Sequence, residues 1–308
     1  MYDVVIIGAG PAGLSAALYS ARAGMKTLII EKGATGGQIA LTLTVDNYPG
    51  SDKSPTGPEI AEKMLQQAMD FGAEKMAAEV VEVDLKSKIK VIKTDKETIE
   101  AKSVILATGA DPRKLGIPGE AEFTGKGVAY CATCDGAFYT GLEVYVIGGG
   151  DAALEEALFL TRFARKVTVV YRGPKMRAAK TIQDKVFAHE QIEVILNSEI
   201  KEIQGEMGVT KMKLVNNETG EEKWIEPTNG DPDFGIFIFI GYNPNTSLIE
   251  DQLELDHGYV VADADMKTSI EGVFAAGDIR KKTVRQVVTA TADGAIAAIN
   301  AGKYVESL

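Results

Sequence analysis

Residues 4–13 read VVIIGAGPAG, an apolar run that leads directly into a glycine-rich turn. The run is rich in β-branched residues, as expected for a strand that is buried on both faces of a parallel sheet. A helical pattern follows, and a second apolar run ends in Glu31. In such a unit the glycines allow a tight turn and the close approach of a pyrophosphate, while the acid accepts ribose hydroxyls. The stretch therefore predicts a dinucleotide-binding unit built on Gly8, Gly10, Gly13 and Glu31.

The same pattern returns at residues 144–153, which read VYVIGGGDAA at a constant offset of 140. The register continues without a gap through the helix and the next strand, which indicates an internal repeat. The turn of this second unit would consist of Gly148, Gly150 and Ala153. The sequence therefore predicts an α/β fold that contains two dinucleotide-binding units.

Tyr171 occupies the position in the second unit that corresponds to Glu31. The acid that reads a free ribose 2′-hydroxyl is therefore missing from the second unit. Arg172 follows directly, and Arg177 lies close behind it. Cations at this place favour a 2′-phosphate, and so NADP over NAD. A solvated basic turn is the alternative interpretation.

The only two cysteines are Cys131 and Cys134, and Asp135 follows them. Two thiols at this spacing can close a small disulfide ring if the stretch opens a helix, whose first turn would also lower the pKa of a thiol. The same spacing fits half of a zinc site. His189 and His257 lie far from the cysteines and from any cluster of carboxylates, so a zinc site has no obvious completion.

Length and composition favour a two-domain protein without nucleic acid or membrane partners. The 308 residues carry 33 basic and 44 acidic side chains, a net charge of −11, which disfavours binding to nucleic acid or to an anionic membrane. No apolar run approaches the roughly 20 residues that a membrane helix needs. A strand pattern begins at residue 3, so we expect no signal peptide. Two cysteines at one site suit a reducing compartment, and we expect a cytoplasmic protein.

The remaining patterns predict further helices, strands and loops. Residues 34–58 and 227–234 have the composition of loops, and Asp278 ends a short apolar run at a place where it can bind ribityl hydroxyls of a flavin. Helices are predicted at 59–72, 180–190 and 287–302, and strands at 78–84, 88–94, 97–101, 104–107, 192–196, 200–204, 209–216, 222–226 and 236–240.

Over essentially its full length the chain resembles the low-molecular-weight bacterial thioredoxin reductases, which are flavin disulfide reductases. The block Cys-Ala-Thr-Cys-Asp at 131–135, directly before the second glycine turn, is highly specific to that family. The other matching stretches are Gly8–Gly13, Gly36-Gly37-Gln38, Ala107-Thr108-Gly109-Ala110, Gly148-Gly149-Gly150-Asp151, Gly272–Asp278 and Arg285-Gln286.

The resemblance implies two Rossmann-like domains of the three-layer ββα type, the second inserted into the first. Residues 1–112 and 245–308 would form the FAD-binding domain, and residues 115–242 the pyridine-nucleotide domain that carries the disulfide. The residues implied for FAD are Gly8, Gly10, Gly13, Glu31, Gly37, Gln38, Asn47, Asp278, Arg285 and Gln286. Those implied for NADPH are Gly148, Gly150, Ala153, Arg172 and Arg177, and no metal is implied.

The resemblance also implies the chemistry. Cys134 would face the flavin, Cys131 would attack the protein substrate, and Asp135 would serve the thiols as acid or base. Electrons would pass from NADPH through FAD and the Cys131–Cys134 disulfide to thioredoxin. Such enzymes are homodimers in which the inserted domain rotates, and the linkers near 111–117 and 242–246 would be the hinges.

One departure from the family concerns the electron donor. The NADPH signature of the family is His-Arg-Arg-x-x-x-Arg, whereas residues 171–177 read YRGPKMR. Loss of the middle Arg removes a bidentate phosphate contact and should weaken NADPH binding. Relatives with an eroded signature accept electrons from other donors. The alternatives are therefore a reductase that is independent of pyridine nucleotides and uses ferredoxin or a reduced deazaflavin, and a flavin-containing redox sensor without turnover.

Overall fold

The computed structural model describes residues 1–42 and 45–308. The chain forms two compact units, and the second interrupts the first. The first unit consists of Met1–Asp111 and Asn243–Leu308, and the second of Pro112–Tyr242. The assignment of FAD to the first unit and of a pyridine nucleotide to the second stays a prediction.

The helices are α1 (Pro11–Arg22), α2 (Gly57–Asp70), α3 (Ala132–Asp135), α4 (Asp151–Leu160), α5 (Lys180–Phe187) and α6 (Val287–Glu306). Short 3₁₀ helices occupy Gly37–Leu41, Gly136–Tyr139 and Gly277–Ile279. The strands are β1 (Tyr2–Ile7), β2 (Thr27–Glu31), β3 (Glu74–Ala77), β4 (Val80–Asp84), β5 (Lys90–Thr94), β6 (Thr98–Leu106), β7 (Ala110–Pro112), β8 (Val128–Ala129), β9 (Glu143–Ile147), β10 (Lys166–Val170), β11 (Ile192–Ile195), β12 (Ser198–Gly205), β13 (Val209–Asn216), β14 (Glu222–Ile225), β15 (Gly235–Ile238), β16 (Tyr242–Pro244), β17 (Leu255–Asp256), β18 (Tyr259–Val260) and β19 (Val273–Ala275). Among the residues described, none of the helices is both long enough and apolar enough to cross a membrane.

The first unit is built on a seven-stranded sheet in the order β3-β2-β1-β6-β5-β4, with β19 also paired to β6. The strands β1, β2, β3, β6 and β19 run parallel, whereas β4, β5 and β6 form an antiparallel meander. Along β1, Val4 and Ile6 pack into a core with α1, α2 and α6, and Val5 and Ile7 pack into a core with β4 and β5. Both faces of β1 are therefore covered, which explains its continuous apolar run.

The second unit repeats this layered arrangement. Its five-stranded parallel sheet has the order β11-β10-β9-β15-β8, and β12, β13 and β14 form a separate antiparallel sheet. On β9, Val144 and Val146 pack with α4, whereas Tyr145 and Ile147 pack with β12 and β13. The predicted α/β fold with two Rossmann-like units is thus confirmed.

The strands predicted at 97–101 and 104–107 are one continuous strand, β6. Two polar residues, Lys102 and Ser103, interrupt the apolar pattern there, but both have partners. Lys102 Nζ contacts Asp3 at 2.7 Å, and the buried Ser103 hydroxyl donates to the Gly272 carbonyl at 2.8 Å. A polar interruption that is satisfied by hydrogen bonds does not end a strand.

Other element boundaries also differ from the sequence-based prediction. The helix predicted from residue 59 begins at Gly57, because Thr56 and Glu59 form a capping box. The helix predicted at 180–190 ends at Phe187, and α6 continues to Glu306. Strand β3 escaped prediction because most of its residues are exposed and it lacks an apolar face.

The polar loop at 227–234 is tied to the second unit by Arg165. Its guanidinium contacts Asp231 and donates to the Thr228 hydroxyl at 2.9 Å. Thr228 in turn donates to Glu143 at 2.7 Å, and Arg165 lies 3.3 Å from the same carboxylate. This network gives the loop a structural anchor that its composition does not reveal.

Candidate active site

Cys131 and Cys134 form a disulfide at the start of α3, with their Cα atoms 5.3 Å apart. Cys131 is the N-cap residue of this short helix, and its Sγ accepts a hydrogen bond from the backbone N–H of Cys134 at 3.1 Å. Both residues are half-buried. A backbone N–H directed at the sulfur of Cys131 would stabilise a thiolate on that atom after reduction. Because the two sulfurs are bonded to each other, neither is a thiolate ligand for zinc.

Asp135 follows the disulfide directly, and its N–H donates to the Cys131 carbonyl at 3.1 Å. Burial raises the pKa of Asp135 from 3.8 to about 6. The carboxyl group can therefore take up and release a proton near neutral pH. Burial, together with Asp135 and Asp233, also raises the pKa of Tyr139, one turn further along the chain.

In the first glycine loop, Gly8 and Gly13 are in close contact with neighbouring backbone, whereas Gly10 is not. Gly8 has φ = +108°, and a Cβ on Gly13 would lie 1.9 Å from the Gly8 carbonyl oxygen. A Cβ on Gly10 would meet no atom of the described residues within 4 Å. Helix α1 is therefore pressed against the loop, while no described residue prevents a pyrophosphate from approaching the backbone at Gly10.

Glu31 joins the end of β2 to this loop. Its Oε2 accepts from the Ala9 N–H at 2.8 Å, and its Oε1 accepts from the Gly33 N–H at 2.8 Å. Each carboxylate oxygen retains capacity for a second donor, such as a ribose hydroxyl. Gly37 also lies beside the loop, since its Cβ would be 3.4 Å from the Gly10 Cα.

The other residues predicted for FAD form smaller groups. Asn47 Nδ2 donates to Gln286 Oε1 at 3.1 Å, so these two residues lie together. Gln38 instead donates to Asp111 at 2.6 Å. The guanidinium of Arg285 lies 4.6 Å from the centre of the Tyr259 ring.

Asp278 has a buried Oδ1 that receives no hydrogen bond from the residues described. Burial raises the pKa of Asp278, while Lys282 and Arg285 act in the opposite direction. An unsatisfied buried acceptor is costly unless a donor reaches it. This atom therefore fits a polyhydroxyl ligand such as the ribityl chain of FAD.

Asp293 on α6 supports the Asp278 turn and was not identified from the sequence. Its carboxylate accepts from the Gly277 N–H at 3.0 Å, from Arg280 at 3.1 Å and from Lys282 at 2.8 Å. An Asp within a helix of small apolar residues is the signal that could have drawn attention to it.

The second glycine loop is covered by an aromatic ring. A Cβ on Gly149 would lie 2.5 Å from the Tyr171 ring, so only glycine accommodates this packing. The Gly149 carbonyl accepts from the N–H groups of Arg177 and Ala178 at 2.7 and 3.0 Å. Arg172 and Arg177 are exposed.

The remaining positions of this loop resemble the first loop in part. Within the part of the chain that the structure describes, a Cβ on Gly150 would meet nothing within 4 Å, so the loop is open at this residue. Gly148 has φ = +148°, and its Cβ would lie 2.8 Å from that of the buried Ala153. Gly148 and Gly150 therefore lie in the turn, and the predicted residue Ala153 lies in the first turn of α4.

Comparisons with known proteins agree along the whole chain. A protein named thioredoxin reductase from Peptoclostridium litorale is 56% identical over 309 residues, covering 100% of this chain and 98% of its own length. A protein of the same name from Listeria monocytogenes is 48% identical over 310 residues, which cover 100% of this chain and 95% of that protein. The crystal structure of thioredoxin reductase from Streptococcus pyogenes MGAS5005 has a TM-score of 0.94 and 44% identity, covering 100% of this chain and 99% of that one. Residues 2–294 match the family model described as pyridine nucleotide-disulphide oxidoreductase, and the chain belongs to this family.

Proposed function

We propose that the protein is a thioredoxin-disulfide reductase that passes electrons from NADPH through FAD and the Cys131–Cys134 disulfide to thioredoxin. The observation that carries the proposal is the disulfide at the start of α3, followed directly by an acid whose pKa is raised to about 6. Relatives at 46–56% identity over the full chain are named thioredoxin reductase.

The first unit would hold FAD. The loop with Gly8, Gly10 and Gly13 would bind the pyrophosphate, Glu31 the ribose of the adenosine, and Asp278 the ribityl chain. The other residues proposed around the flavin are Gly37, Gln38, Asn47, Arg285 and Gln286. FAD bound there would accept two electrons from a donor and deliver them to a disulfide.

The thiol chemistry would follow from the two cysteines. Reduction breaks the S–S bond, and the pair takes up two electrons and two protons. The Cys131 thiolate, stabilised by the N–H of Cys134, then attacks the disulfide of thioredoxin and forms a mixed disulfide. Cys134 attacks Cys131 Sγ, which re-forms the Cys131–Cys134 bond and releases thioredoxin as a dithiol. Asp135 would hold and return the protons of these steps.

In the second unit, Gly148, Gly150 and Ala153 would receive the nucleotide, and Arg172 and Arg177 the 2′-phosphate. Both cations are exposed and belong to a loop that backbone hydrogen bonds fix to Gly149. Because residues 171–177 depart from the NADPH signature of the family, a second candidate is a reductase that accepts electrons from ferredoxin or a reduced deazaflavin.

A parallel reductive titration separates these candidates. The purified protein is titrated with NADPH, NADH and reduced ferredoxin, and the bleaching of the flavin absorbance is followed. We expect NADPH to bleach the flavin. Bleaching by reduced ferredoxin but not by millimolar NADPH would identify ferredoxin as the donor in place of NADPH. A colourless protein would contradict the whole proposal.

The variant Cys134→Ser tests the enzyme against the flavin redox sensor. We expect it to retain FAD and to lose the reduction of thioredoxin, since one thiol cannot close the disulfide. If wild-type protein carries FAD but reduces no thioredoxin with any donor, the sensor becomes the better description.

We infer further that the protein is a cytoplasmic homodimer whose second unit rotates during turnover. A groove of about 440 Å³ between α1, α2 and α6 supports an interface, since its lining includes Leu18, Met64 and the exposed Tyr19 and Val288. Sedimentation of wild type and Val288→Glu tests this inference. We expect a dimer that the charged variant weakens, and a wild-type monomer would contradict it.

A further inference from the structure

Glu120 is a buried acid in the second unit that the proposed chemistry does not use. Its side chain is 2% exposed. Its Oε1 accepts from the Leu115 N–H at 2.9 Å, and its Oε2 accepts from the Gly116 N–H at 2.7 Å. A buried carboxylate is stable only with such donors. Glu120 therefore fastens the segment through which the chain enters the second unit.

Tyr130 is the third donor to Glu120, and it directly precedes Cys131. Its hydroxyl donates to Glu120 Oε1 at 2.8 Å. Burial and this hydrogen bond raise the pKa of Tyr130, so the phenol remains protonated and keeps donating at physiological pH. The side chain of the residue before the redox disulfide is thus linked to the entering segment through the carboxylate of Glu120.

The backbone of Tyr130 is tied to the segment through which the chain leaves the second unit. The hydroxyl of Tyr242, the last residue of the unit, donates to the Tyr130 carbonyl at 3.0 Å. The entering and leaving segments are also joined to each other, since the Arg113 N–H donates to the Gly241 carbonyl at 2.9 Å. Tyr130 is therefore linked to the entering segment through Glu120 and bonded directly to the leaving segment through Tyr242.

The turn that carries Glu120 is rigidly attached to β12. Gly119 has φ = +85°, and a Cβ there would lie 2.0 Å from the Ile203 carbonyl oxygen. The Ile203 N–H donates to the Pro118 carbonyl at 3.0 Å. Glu120 consequently offers Tyr130 an acceptor that is fixed beside the antiparallel sheet of β12, β13 and β14.

We propose that Glu120 and Tyr242 are positioning residues that act through Tyr130 to hold Cys131 where it closes the disulfide with Cys134. The proposal rests on the proposed function in one respect, namely that this disulfide is the redox group. Holding one of two thiols in place raises its effective concentration for the other and favours the closed ring. Release of Tyr130 should therefore shift the pair towards the dithiol.

The test measures this equilibrium in the purified flavoprotein with dithiothreitol as the reductant. One dithiothreitol gives two electrons and two protons to the disulfide and becomes its own cyclic disulfide. Protein is equilibrated over a range of reduced-to-oxidised reagent ratios, quenched with an alkylating agent, and its thiols are counted by mass. We expect Tyr130→Phe and Tyr242→Phe each to raise the equilibrium constant for reduction at least about threefold, which is about 14 mV for a two-electron couple.

The matched control is Tyr2→Phe in the first unit, which also removes a Tyr–Glu hydrogen bond, from Tyr2 to Glu74 at 2.7 Å. We expect this control to leave the equilibrium constant unchanged. Equal constants in wild type, Tyr130→Phe and Tyr242→Phe would overturn the proposal, and so would an equal shift in the control.

The variant Glu120→Gln extends the test. The three donors share two carboxylate oxygens in the wild type, whereas the amide of the variant has only one acceptor oxygen. We expect a shift in the same direction as for Tyr130→Phe. Neither NADPH nor thioredoxin enters the measurement. A failure of the proposed electron donor or acceptor is therefore distinguishable from a failure of the positioning role.

Discussion

The two glycine loops descend from one repeated pattern, yet different forces hold them. In the first loop, Glu31 binds the Ala9 N–H through a carboxylate oxygen at 2.8 Å. In the second, Tyr171 stands at the equivalent position and packs its ring on Gly149, the counterpart of Ala9. The ring fits at this position only because Gly149 has no Cβ, whereas Ala9 in the first loop carries one. A loop of this kind can thus be held either by a hydrogen bond to a carboxylate or by packing against a ring.

The largest effect is expected at the third turn position, where the first loop has Gly13 and the second has Ala153. A methyl group on Gly13 would lie 1.9 Å from the Gly8 carbonyl oxygen, so Gly13→Ala must displace α1 or the loop. Overpacking of about 3 kcal/mol corresponds to FAD binding at least about 100-fold weaker. Reconstitution of the apoprotein, followed by flavin fluorescence, measures this affinity.

The matched change in the second loop is Ala153→Gly. It creates no clash and should leave the affinity for FAD unchanged, while a glycine in α4 costs about 1 kcal/mol of stability. Equal loss of FAD in both variants would show that the two loops do not differ as described.

The second unit also differs from the first in carrying the disulfide and Asp135. Removal of the acid by Asp135→Asn should lower thioredoxin-linked turnover about 100-fold. The inflection near pH 6 in the rate profile of the wild type should disappear in the variant. Steady-state rates between pH 5 and pH 9 check both expectations, and an unchanged profile would exclude Asp135 as the proton donor.

The raised pKa of Asp135 also predicts how stability depends on pH. Since burial raises this pKa from 3.8 to about 6, the folded chain binds more protons than the unfolded chain in that interval. The stability of the wild type should therefore fall by about 3 kcal/mol in total relative to Asp135→Asn as the pH rises from well below 3.8 to well above 6. Trp224, the single tryptophan, lies in the second unit, and its fluorescence reports the urea unfolding of that unit.

A smaller effect is expected for Gly149→Ala, which gives the second loop the Cβ of the first. Because that atom would lie 2.5 Å from the Tyr171 ring, the second unit should lose about 2 kcal/mol. The double variant Gly149→Ala/Tyr171→Glu removes the ring and should recover most of this loss, a coupling that Trp224 fluorescence can measure. Additive losses would contradict a direct contact.

The smallest effect is expected for the exposed cations of the second loop. Arg177→Ala should raise the KM for NADPH about tenfold, because one charged hydrogen bond to a 2′-phosphate contributes about 1.4 kcal/mol. The kcat and the flavin content should not change. Lys175→Ala is the control, with little effect, and an Arg177→Ala enzyme with an unchanged KM would assign the 2′-phosphate to other residues.

The layered fold could be predicted because strands that are buried on both faces have continuous apolar runs and the glycine turns recur at a fixed offset. The break predicted at Lys102 and Ser103 was wrong, since sequence patterns do not reveal partners such as the Gly272 carbonyl. The Cys131–Cys134 disulfide was expected from the family resemblance and is present. The contact of Tyr171 with Gly149, and that of Glu120 with Tyr130, could not be foreseen because each depends on residues that meet only in the folded unit.

The packing of α6 on α1 has a consequence for biosynthesis. A Cβ on Gly294 of α6 would lie 2.1 Å from the carbonyl oxygen of Ala12 on α1. The Ser15 hydroxyl of α1 donates to the Thr291 carbonyl of α6 at 2.7 Å. A ribosome finishes the second unit at Tyr242, when α6 has not yet been made. The face of α1 that contacts α6 therefore stays uncovered until the whole insertion has been synthesised. The second unit can complete its fold before the first.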